Sequence, residues 1–256
     1  MLSVMWLEWF RLTKRLAAWG IFFAFLALQI VFFGGRYYNA RAGRGEYWGF
    51  PEALPDVLAD RATVTTSIFV AVLVALTVSS EFEWRTCRQN IIDGLSKNSW
   101  FGGKLLLVLS ICVVFYGTQV ALGATLAYLG TTAGHADYFP AMTYVSAACG
   151  ALIGMCTYCA AALLFATWVR SSGPVIAITL LYLVFDGLAA SGLPERVAAL
   201  LPGQVQGTLF SFGQYLPQPS SGLTYEWSNS YLFLAGIGWV TAFVAASLWV
   251  YRTRDL

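Results

Sequence analysis

Side chains that could do chemistry are concentrated in one short stretch, residues 81–104. It carries seven of the chain's 28 charged side chains (15 basic and 13 acidic), with an apolar stretch of membrane-spanning length on each side. A segment this polar cannot cross hydrocarbon, so it must connect two spans outside the bilayer. The chemistry it offers is ion pairing, with Glu81 and Glu83 close in sequence to Arg85 and Arg88. Ordinary solvation of these carboxylates at a helix end is the alternative.

Residues 86–94 have the pattern of a short helix. Thr86 and Gln89 are spaced as a capping box, and Gly94 supplies a left-handed stop. The side chains predicted to share its apolar side are Cys87, Ile91 and Ile92, with Arg88, Gln89 and Asn90 facing elsewhere. The helix could be a solvated loop whose apolar side rests on the membrane surface. Alternatively, it is a rigid plug held off the membrane to fit a groove in a partner.

The residues around this helix follow a wider order. An acidic–x–acidic–x–x–Thr run closes one span, the short helix follows, and a Leu-Ser-basic triplet then leads to Gly-Lys at the head of the next span. This order resembles the first cytoplasmic loop of ABC-2 type transporter permeases, in which the loop is the coupling helix that docks on the ATPase subunit. The match covers about 24 residues closely and elsewhere extends to span number and spacing. Arg85 and Gly94 stand where that family often has Gly and Pro.

The resemblance implies what the chain does and with which partners. Residues 1–256 would form a single ABC-2 type transmembrane domain that exports a hydrophobic or amphipathic substrate, such as a lipid, peptide or drug. It would pair with a second copy or a sister permease, while separate ATPase subunits bind ATP and Mg²⁺. The chain itself would have no catalytic residue, cofactor or nucleic-acid partner. The ATPase-coupling residues would be Glu81, Glu83, Arg85, Thr86, Arg88, Gln89, Ile91, Ile92, Leu95, Ser96 and Lys97. The alternatives are an ion-coupled secondary transporter and a non-transporting membrane scaffold or immunity protein.

Composition places the chain among integral membrane proteins. Hydrophobic residues make up 58% and charged residues only 11%, which is far too apolar for an ordinary soluble domain. The uncharged segments are 16–35, 62–80, 105–134, 138–169, 171–185 and 227–251, the fifth continuing past Asp186 to about residue 191. Since about 20 apolar residues cross a bilayer as a helix, an all-α protein with six spans is predicted. Continuous apolar runs exclude a barrel, whose strands alternate.

The distribution of basic residues predicts the orientation. With both termini inside, ten basic residues lie in cytoplasmic segments and five in outer ones. This bias indicates a multi-pass protein of the cytoplasmic (inner) membrane with both termini in the cytoplasm and the 81–104 loop inside.

An interfacial helix is predicted before the first span, over residues 1–16. Its apolar residues recur at helical spacing, and three charged residues are predicted on the opposite face, toward the headgroups. These charged residues are Glu8, Arg11 and Arg15. The predicted interfacial helix is a second resemblance to ABC-2 permeases, which begin with an elbow helix. Both the amphipathic pattern and this resemblance imply that the helix contacts membrane lipid.

The region 192–230 is predicted to lie outside, as short helices half sunk in the outer leaflet. It holds four of the eight prolines but also apolar patches that a free loop would lack. In ABC-2 permeases the corresponding segment forms short re-entrant helices at the outer mouth.

Other candidate sites are weak. Gly102-Gly103-Lys104 lacks the preceding Gly and following Ser or Thr of a phosphate-binding loop. His135 beside Asp137 offers too few ligands for a metal, so no metal site is predicted.

Three features within the spans leave alternatives open. Asp186 either reaches the nearby interface or belongs to a translocation path, because ionisable residues in a membrane usually face the bundle interior or water. Gly150 and Gly154 form a small-xxx-small face for packing within the chain or between subunits. Cys156 and Cys159 have the spacing of a redox motif, but packing is the better interpretation.

Overall fold

A computed structural model describes residues 2–44, 48–51, 53–59, 61–84, 86–92, 94–131, 141–198, 200–202 and 229–253. Ten helices and no strand occur in this part of the chain. The helices are α1 (Leu2–Thr13), α2 (Leu16–Arg41), α3 (Leu54–Ala59), α4 (Arg61–Glu83), α5 (Thr86–Ile92), α6 (Lys97–Gly130), α7 (Ala141–Val169), α8 (Ser172–Gly192), α9 (Glu195–Ala198) and α10 (Asn229–Thr253).

Six of these helices are long and apolar enough to cross a bilayer. They are α2, α4, α6, α7, α8 and α10, with lengths from 21 residues in α8 to 34 residues in α6. About 20 residues suffice for a span. The chain is therefore an all-α integral membrane protein with six membrane-spanning helices, as predicted, and α1 precedes the first span as a separate helix.

The largest boundary difference concerns α6. The sequence predicts a span that begins after Lys104, but the helix begins at Lys97 because Ser96 caps it: the Ser96 Oγ accepts a hydrogen bond from the backbone N–H of Ser99 at 3.1 Å. Lys104 therefore lies inside the helix, and the connection between α4 and α6 is shorter than residues 81–104.

The core lies where α4 and α7 meet. Helix α4 packs against α7 and α8, and α7 packs also against α10. Many buried side chains of α7 are small, so neighbouring backbones can approach closely. Gly150 and Gly154 are both buried. This burial favours packing within the chain, and a contact between subunits stays a prediction.

Buried amides and hydroxyls join four helices at the other half of the bundle. Gln29 of α2 donates to Thr66 of α4 at 2.8 Å, and Thr66 donates to Gln119 of α6 at 2.6 Å. The Gln119 amide nitrogen donates to Thr63 at 2.9 Å and to the carbonyl of Val57 in α3 at 3.0 Å. Polar groups among apolar spans need such partners, so this network fixes α2, α3, α4 and α6 relative to one another.

A further group of polar ties lies at one end of the bundle, called here the α5 end. Arg15 donates to Ser80 at 2.7 Å, Ser172 donates to the Glu83 carboxylate at 2.6 Å, and Arg252 donates to Asn98 at 2.8 Å. The α5 end thus comprises α1, α5, the α7–α8 turn, the end of α4 and the last turn of α10.

Candidate functional site

Three charged side chains from three helices meet inside the α5 end. The Nζ of Lys104 donates to Glu8 Oε2 at 2.5 Å and to Glu81 Oε1. Trp100 Nε1 donates to the second oxygen of Glu81 at 3.2 Å. The side chains of Lys104, Glu81 and Glu8 are only 1%, 2% and 3% exposed. We call Glu8, Glu81, Trp100 and Lys104 the charged junction.

Electrostatics explain why these groups are found together. An isolated buried charge is very costly, and pairing with hydrogen bonds is what makes its burial tolerable. The Lys104 ammonium also lies 5.5 Å from the centre of the buried Trp100 ring. Burial alone would raise the pKa of Glu8, but the charge and hydrogen bond of Lys104 hold that pKa below its ordinary value. The junction consequently ties α1, the last turn of α4 and the first turns of α6 into one unit.

One sequence prediction about these residues is wrong. Glu8 was expected on the outward polar face of α1, yet it points inward to Lys104, while Trp6, Leu7 and Phe10 are exposed. The predicted apolar residues Trp9 and Leu12 do face the core, and the ion pair with Lys104 draws Glu8 inward beside them. For Glu81 the sequence leaves open solvation at a helix end or a salt bridge, and the structure buries it with Lys104 and Trp100 as partners.

Helix α5 begins and ends differently from a simple capping-box helix. The capping-box prediction is wrong: Thr86 is the first helical residue, and its hydroxyl donates to the carbonyl of Glu81 at 3.3 Å. The predicted stop is confirmed, because Gly94 has φ +97°. The Gly94 N–H donates to Ile91 at 3.1 Å and the Leu95 N–H to Asn90 at 3.0 Å. These two bonds form a Schellman motif, which fixes where the chain leaves α5.

The inner side of α5 is bound to the charged junction through an aromatic stack. The Cys87 Sγ lies 3.7 Å from the hydroxyl of Tyr251 in α10. The Tyr251 ring stacks on Trp100, with centroids 4.8 Å apart and planes at 21°. Burial raises the pKa of the Cys87 thiol to about 11. A packed path thus runs from Cys87 through Tyr251 and Trp100 to the Glu81 carboxylate.

The outer side of α5 presents a mixed surface, called here the α5 face, made of Arg88, Gln89 and Ile92, all of which are exposed. The predicted grouping of Ile92 with Cys87 is wrong, since Ile92 is 68% exposed. Five residues on a helix turn through about 500°, which places the two side chains about 140° apart. Ile91, four residues after Cys87, does pack against the core.

The remaining predicted coupling residues anchor the loop rather than extend the α5 face. Leu95 packs against the core and Ser96 caps α6. Lys97 is the first residue of α6 and is half-buried. The Glu83 carboxylate accepts from the Ser172 hydroxyl at 2.6 Å, joining the end of α4 to the α7–α8 turn. Arg85 lies outside the described residues.

Residues 17–256 match the family described as "Protein of unknown function (DUF2705)". The chain belongs to this family. No curated protein matches the sequence. The family match of this DUF2705 protein spans α2 to α10, so it includes α5, Glu81 and Lys104, whereas Glu8 on α1 precedes it.

A second buried charge of the DUF2705 protein lies in a span. Asp186 of α8 is 7% exposed and lies within electrostatic reach of Tyr158 and Tyr182. Tyr158 belongs to the neighbouring helix α7 and Tyr182 lies one turn earlier in α8. This position favours a group inside the bundle over one that merely reaches the interface.

The weaker sequence candidates have no ligand geometry in the described part of the chain. No group of three or more His, Cys, Asp or Glu side chains that could hold a metal occurs there. Cys159 is buried with its Sγ 3.6 Å from that of Cys112, and Cys156 is half-buried, as packing predicts. His135 and residues 203–228 of the predicted outer region lie outside the described residues, and α9 with 200–202 is the described part of that region.

The charged junction is the main feature that sequence reasoning missed. Its signal is visible in retrospect: Glu8 is the one acidic residue of an otherwise apolar and basic helix, and Lys104 directly precedes a long uncharged run. Neither feature identifies which residue is the partner, because 96 residues separate Glu8 from Lys104.

Proposed function

We propose that this chain is the membrane-spanning permease subunit of an ABC-2 type exporter and that the α5 face docks on a separate ATPase subunit. The observation that carries the proposal is the construction of α5. One side is buried against Tyr251 and both ends are fixed, at Thr86 and at Gly94, while Arg88, Gln89 and Ile92 face outward. A short helix bound in this way transmits force instead of bending.

Movement then passes to the spans through the charged junction. A push on α5 reaches Tyr251 and Trp100 through Cys87, and Trp100 is hydrogen-bonded to Glu81. Lys104 carries the displacement on to α6 and to α1. ATP-driven closure of the ATPases would in this way bias the membrane helices between two arrangements, as coupling between sites requires.

The other parts of the assembly follow from the same proposal. Six spans form half of a pathway, so the chain pairs with a second copy or a sister permease in the inner membrane. The α5 end and both termini lie in the cytoplasm, because the segments on that side carry the excess of basic residues that cytoplasmic loops of membrane proteins have. ATP and Mg²⁺ are bound by the partner ATPase, and the exported substrate is a lipid, peptide or drug that can enter a cleft between apolar helices.

The test places two negative charges on the α5 face. The chain is co-expressed with each Walker-type ATPase encoded beside its gene, and Arg88→Glu combined with Ile92→Glu is compared with wild type. Loss of two central contacts should weaken association at least about tenfold, since interface residues that matter cost more than 1 kcal/mol each. The readouts are co-purification and stimulation of ATP hydrolysis.

A matched control carries the same changes at the opposite end of the bundle. Arg44 and Val197 are exposed there, and Arg44→Glu with Val197→Glu should leave assembly intact. Unchanged assembly and ATPase stimulation in the α5 variant would refute docking at this face.

The buried position of Asp186 favours one second candidate, an ion-coupled carrier. This candidate predicts substrate uptake driven by an ion gradient in liposomes that contain this chain alone, lost in Asp186→Asn. Flux that requires both the ATPase and ATP would exclude it. A membrane scaffold or immunity protein would assemble but show no flux in either experiment.

A further inference from the structure

Three of the chain's five cysteines meet at one point inside the bundle. Cys112 of α6 and Cys159 of α7 are completely buried, and their sulfur atoms lie 3.6 Å apart. Cys156, one turn before Cys159 on α7, is also within hydrogen-bonding reach of Cys112. We call these three side chains the thiol cluster. It is separate from the charged junction, the α5 face and Asp186.

The thiol cluster lies near the centre of the bilayer, because Cys112 and Cys156 are close to the midpoints of the spans α6 and α7. Entering hydrocarbon at this depth is costly for a charged molecule, so ionic oxidants and reductants are kept away. Cys156 is half-buried, whereas Cys112 and Cys159 are closed off. A reagent dissolved in the hydrocarbon therefore meets Cys156 first.

The arrangement of the thiol cluster suits a covalent bond between two spans. The sulfur atoms of a disulfide are about 2.0 Å apart, so Cys112 and Cys159 need to approach by only about 1.6 Å. Cys156 and Cys159 both belong to α7, and a bond between them would leave the other helices unrestrained. A bond from either of them to Cys112 would instead join α7 to α6.

We propose that the thiol cluster is an oxidation site at which a lipid hydroperoxide in the bilayer forms a disulfide between α6 and α7. The Cys156 sulfur attacks the terminal peroxide oxygen and the O–O bond breaks. The rest of the hydroperoxide leaves as an alcohol with the thiol proton, and Cys156 becomes a sulfenic acid. The Cys112 sulfur then displaces the hydroxyl group, which leaves as water with the Cys112 proton.

The disulfide first formed is the one between Cys112 and Cys156. Attack of the Cys159 thiol on the Cys112 sulfur moves the bond to Cys112–Cys159 and restores the Cys156 thiol. In total, two thiols and one hydroperoxide give one disulfide, one alcohol and one water. The thiolate is the reactive form and is disfavoured in hydrocarbon, so the site responds to sustained oxidation rather than to brief exposure.

The disulfide would restrain a part of the bundle that is joined less firmly than the rest. Helix α6 packs less extensively against α7 than α4 or α10 does. Cys112 follows Lys104 by about 12 Å along α6. If the proposed function holds, α6 receives its displacement from the charged junction, so a bond to α7 would stop this movement and halt export. The α5 face would stay free to dock.

The first experiment detects the bond without any ATPase. The chain in liposomes is treated with cumene hydroperoxide, blocked with N-ethylmaleimide, digested without reduction and analysed by mass spectrometry. Peptides linked through Cys112 are expected in wild type and in Cys149→Ala, which removes an exposed cysteine of α7. They should be absent in Cys112→Ala. Cys156→Ala should slow linkage at least about tenfold, because the two remaining thiols are buried.

Two controls make a negative result informative. Oxidation of the exposed Cys149 in wild type shows that the reagent reached the protein, and the unfolding midpoint of each variant shows that it is folded. With Cys149 oxidised, a wild type without linked peptides would overturn the inference. Linkage that is equally fast in Cys156→Ala would overturn the proposed entry through Cys156.

The second experiment separates this inference from the proposed function. Oxidised wild type should still co-purify with the ATPase but no longer stimulate ATP hydrolysis, and dithiothreitol, a neutral dithiol, should restore stimulation. Undiminished stimulation in fully linked protein would refute the restraint on α6. Failure of docking at the α5 face would refute the proposed function and leave the disulfide standing.

Discussion

Replacing Lys104 by methionine should destabilise the protein more than any change on the α5 face. The substitution leaves the carboxylates of Glu8 and Glu81, which are 3% and 2% exposed, without their shared ammonium. Removing one partner of a buried ion pair costs about 3–5 kcal/mol, because a buried charge is left uncompensated. Here that charge is Glu81, since Glu8 keeps its ion pair with Arg11 at 3.2 Å. For a chain of this size the unfolding midpoint should fall by roughly 6–20 °C.

The assay is thermal unfolding in detergent, with two further variants that isolate the cause. Lys97→Met removes a charge from the half-buried first residue of the same helix and should change stability by no more than about 0.5 kcal/mol. A triple variant, Glu8→Leu with Glu81→Gln and Lys104→Met, removes the net charge and should recover at least half of the loss. The reasoning is refuted if Lys104→Met behaves like Lys97→Met, or if the triple variant is as unstable as the single one.

Three smaller predictions concern separate contacts. Burial raises the pKa of the Cys87 thiol to about 11 from an ordinary value of 9.0. At pH 8 Cys87 should therefore be alkylated roughly 100-fold more slowly than a cysteine introduced by Ile92→Cys, and its rate should rise about tenfold per pH unit up to pH 11. Equal rates at pH 8 would show that the thiol is not buried. Gln119→Leu should cost about 1–3 kcal/mol, read as a lower unfolding midpoint, because it leaves buried partners unsatisfied. Glu83→Gln should speed hydrogen exchange at 172–175 and leave 100–104 unchanged, since it weakens one contact with Ser172.

Length and apolar composition were enough to predict the architecture. Each of the six predicted spans corresponds to a helix, because a bilayer demands about 20 apolar residues whatever the packing. Local chemistry also predicted where α5 stops, since Gly94 adopts the positive φ that a left-handed stop needs. Both inferences depend on residues close in sequence.

Contacts between distant residues were beyond this reasoning. The amphipathic pattern of α1 places Glu8 on a polar face, and only the presence of Lys104 on another helix explains why this side chain points inward beside Leu12. The start of α6 was misplaced for the same reason. A lysine at the edge of an apolar run indicates the boundary of a span, but the charge of Lys104 is neutralised inside the helix. The position of Ile92 away from Cys87, by contrast, follows from helical geometry alone.

The contacts differ in strength, and this difference indicates how the α5 end would move. Breaking the charged junction costs about 3–5 kcal/mol, whereas the exposed hydrogen bond between Glu83 and Ser172 contributes about 1 kcal/mol. A displacement applied to the α5 face would therefore carry α5, α1 and the adjoining turns of α4 and α6 together. The ties of the α7–α8 turn to the end of α4, from Ser172 to Glu83 and Ser79 and from Arg170 to Phe82, are individually weaker. On the proposed coupling, this turn is therefore where the unit would first shift, while α4 and α8 stay packed along their length.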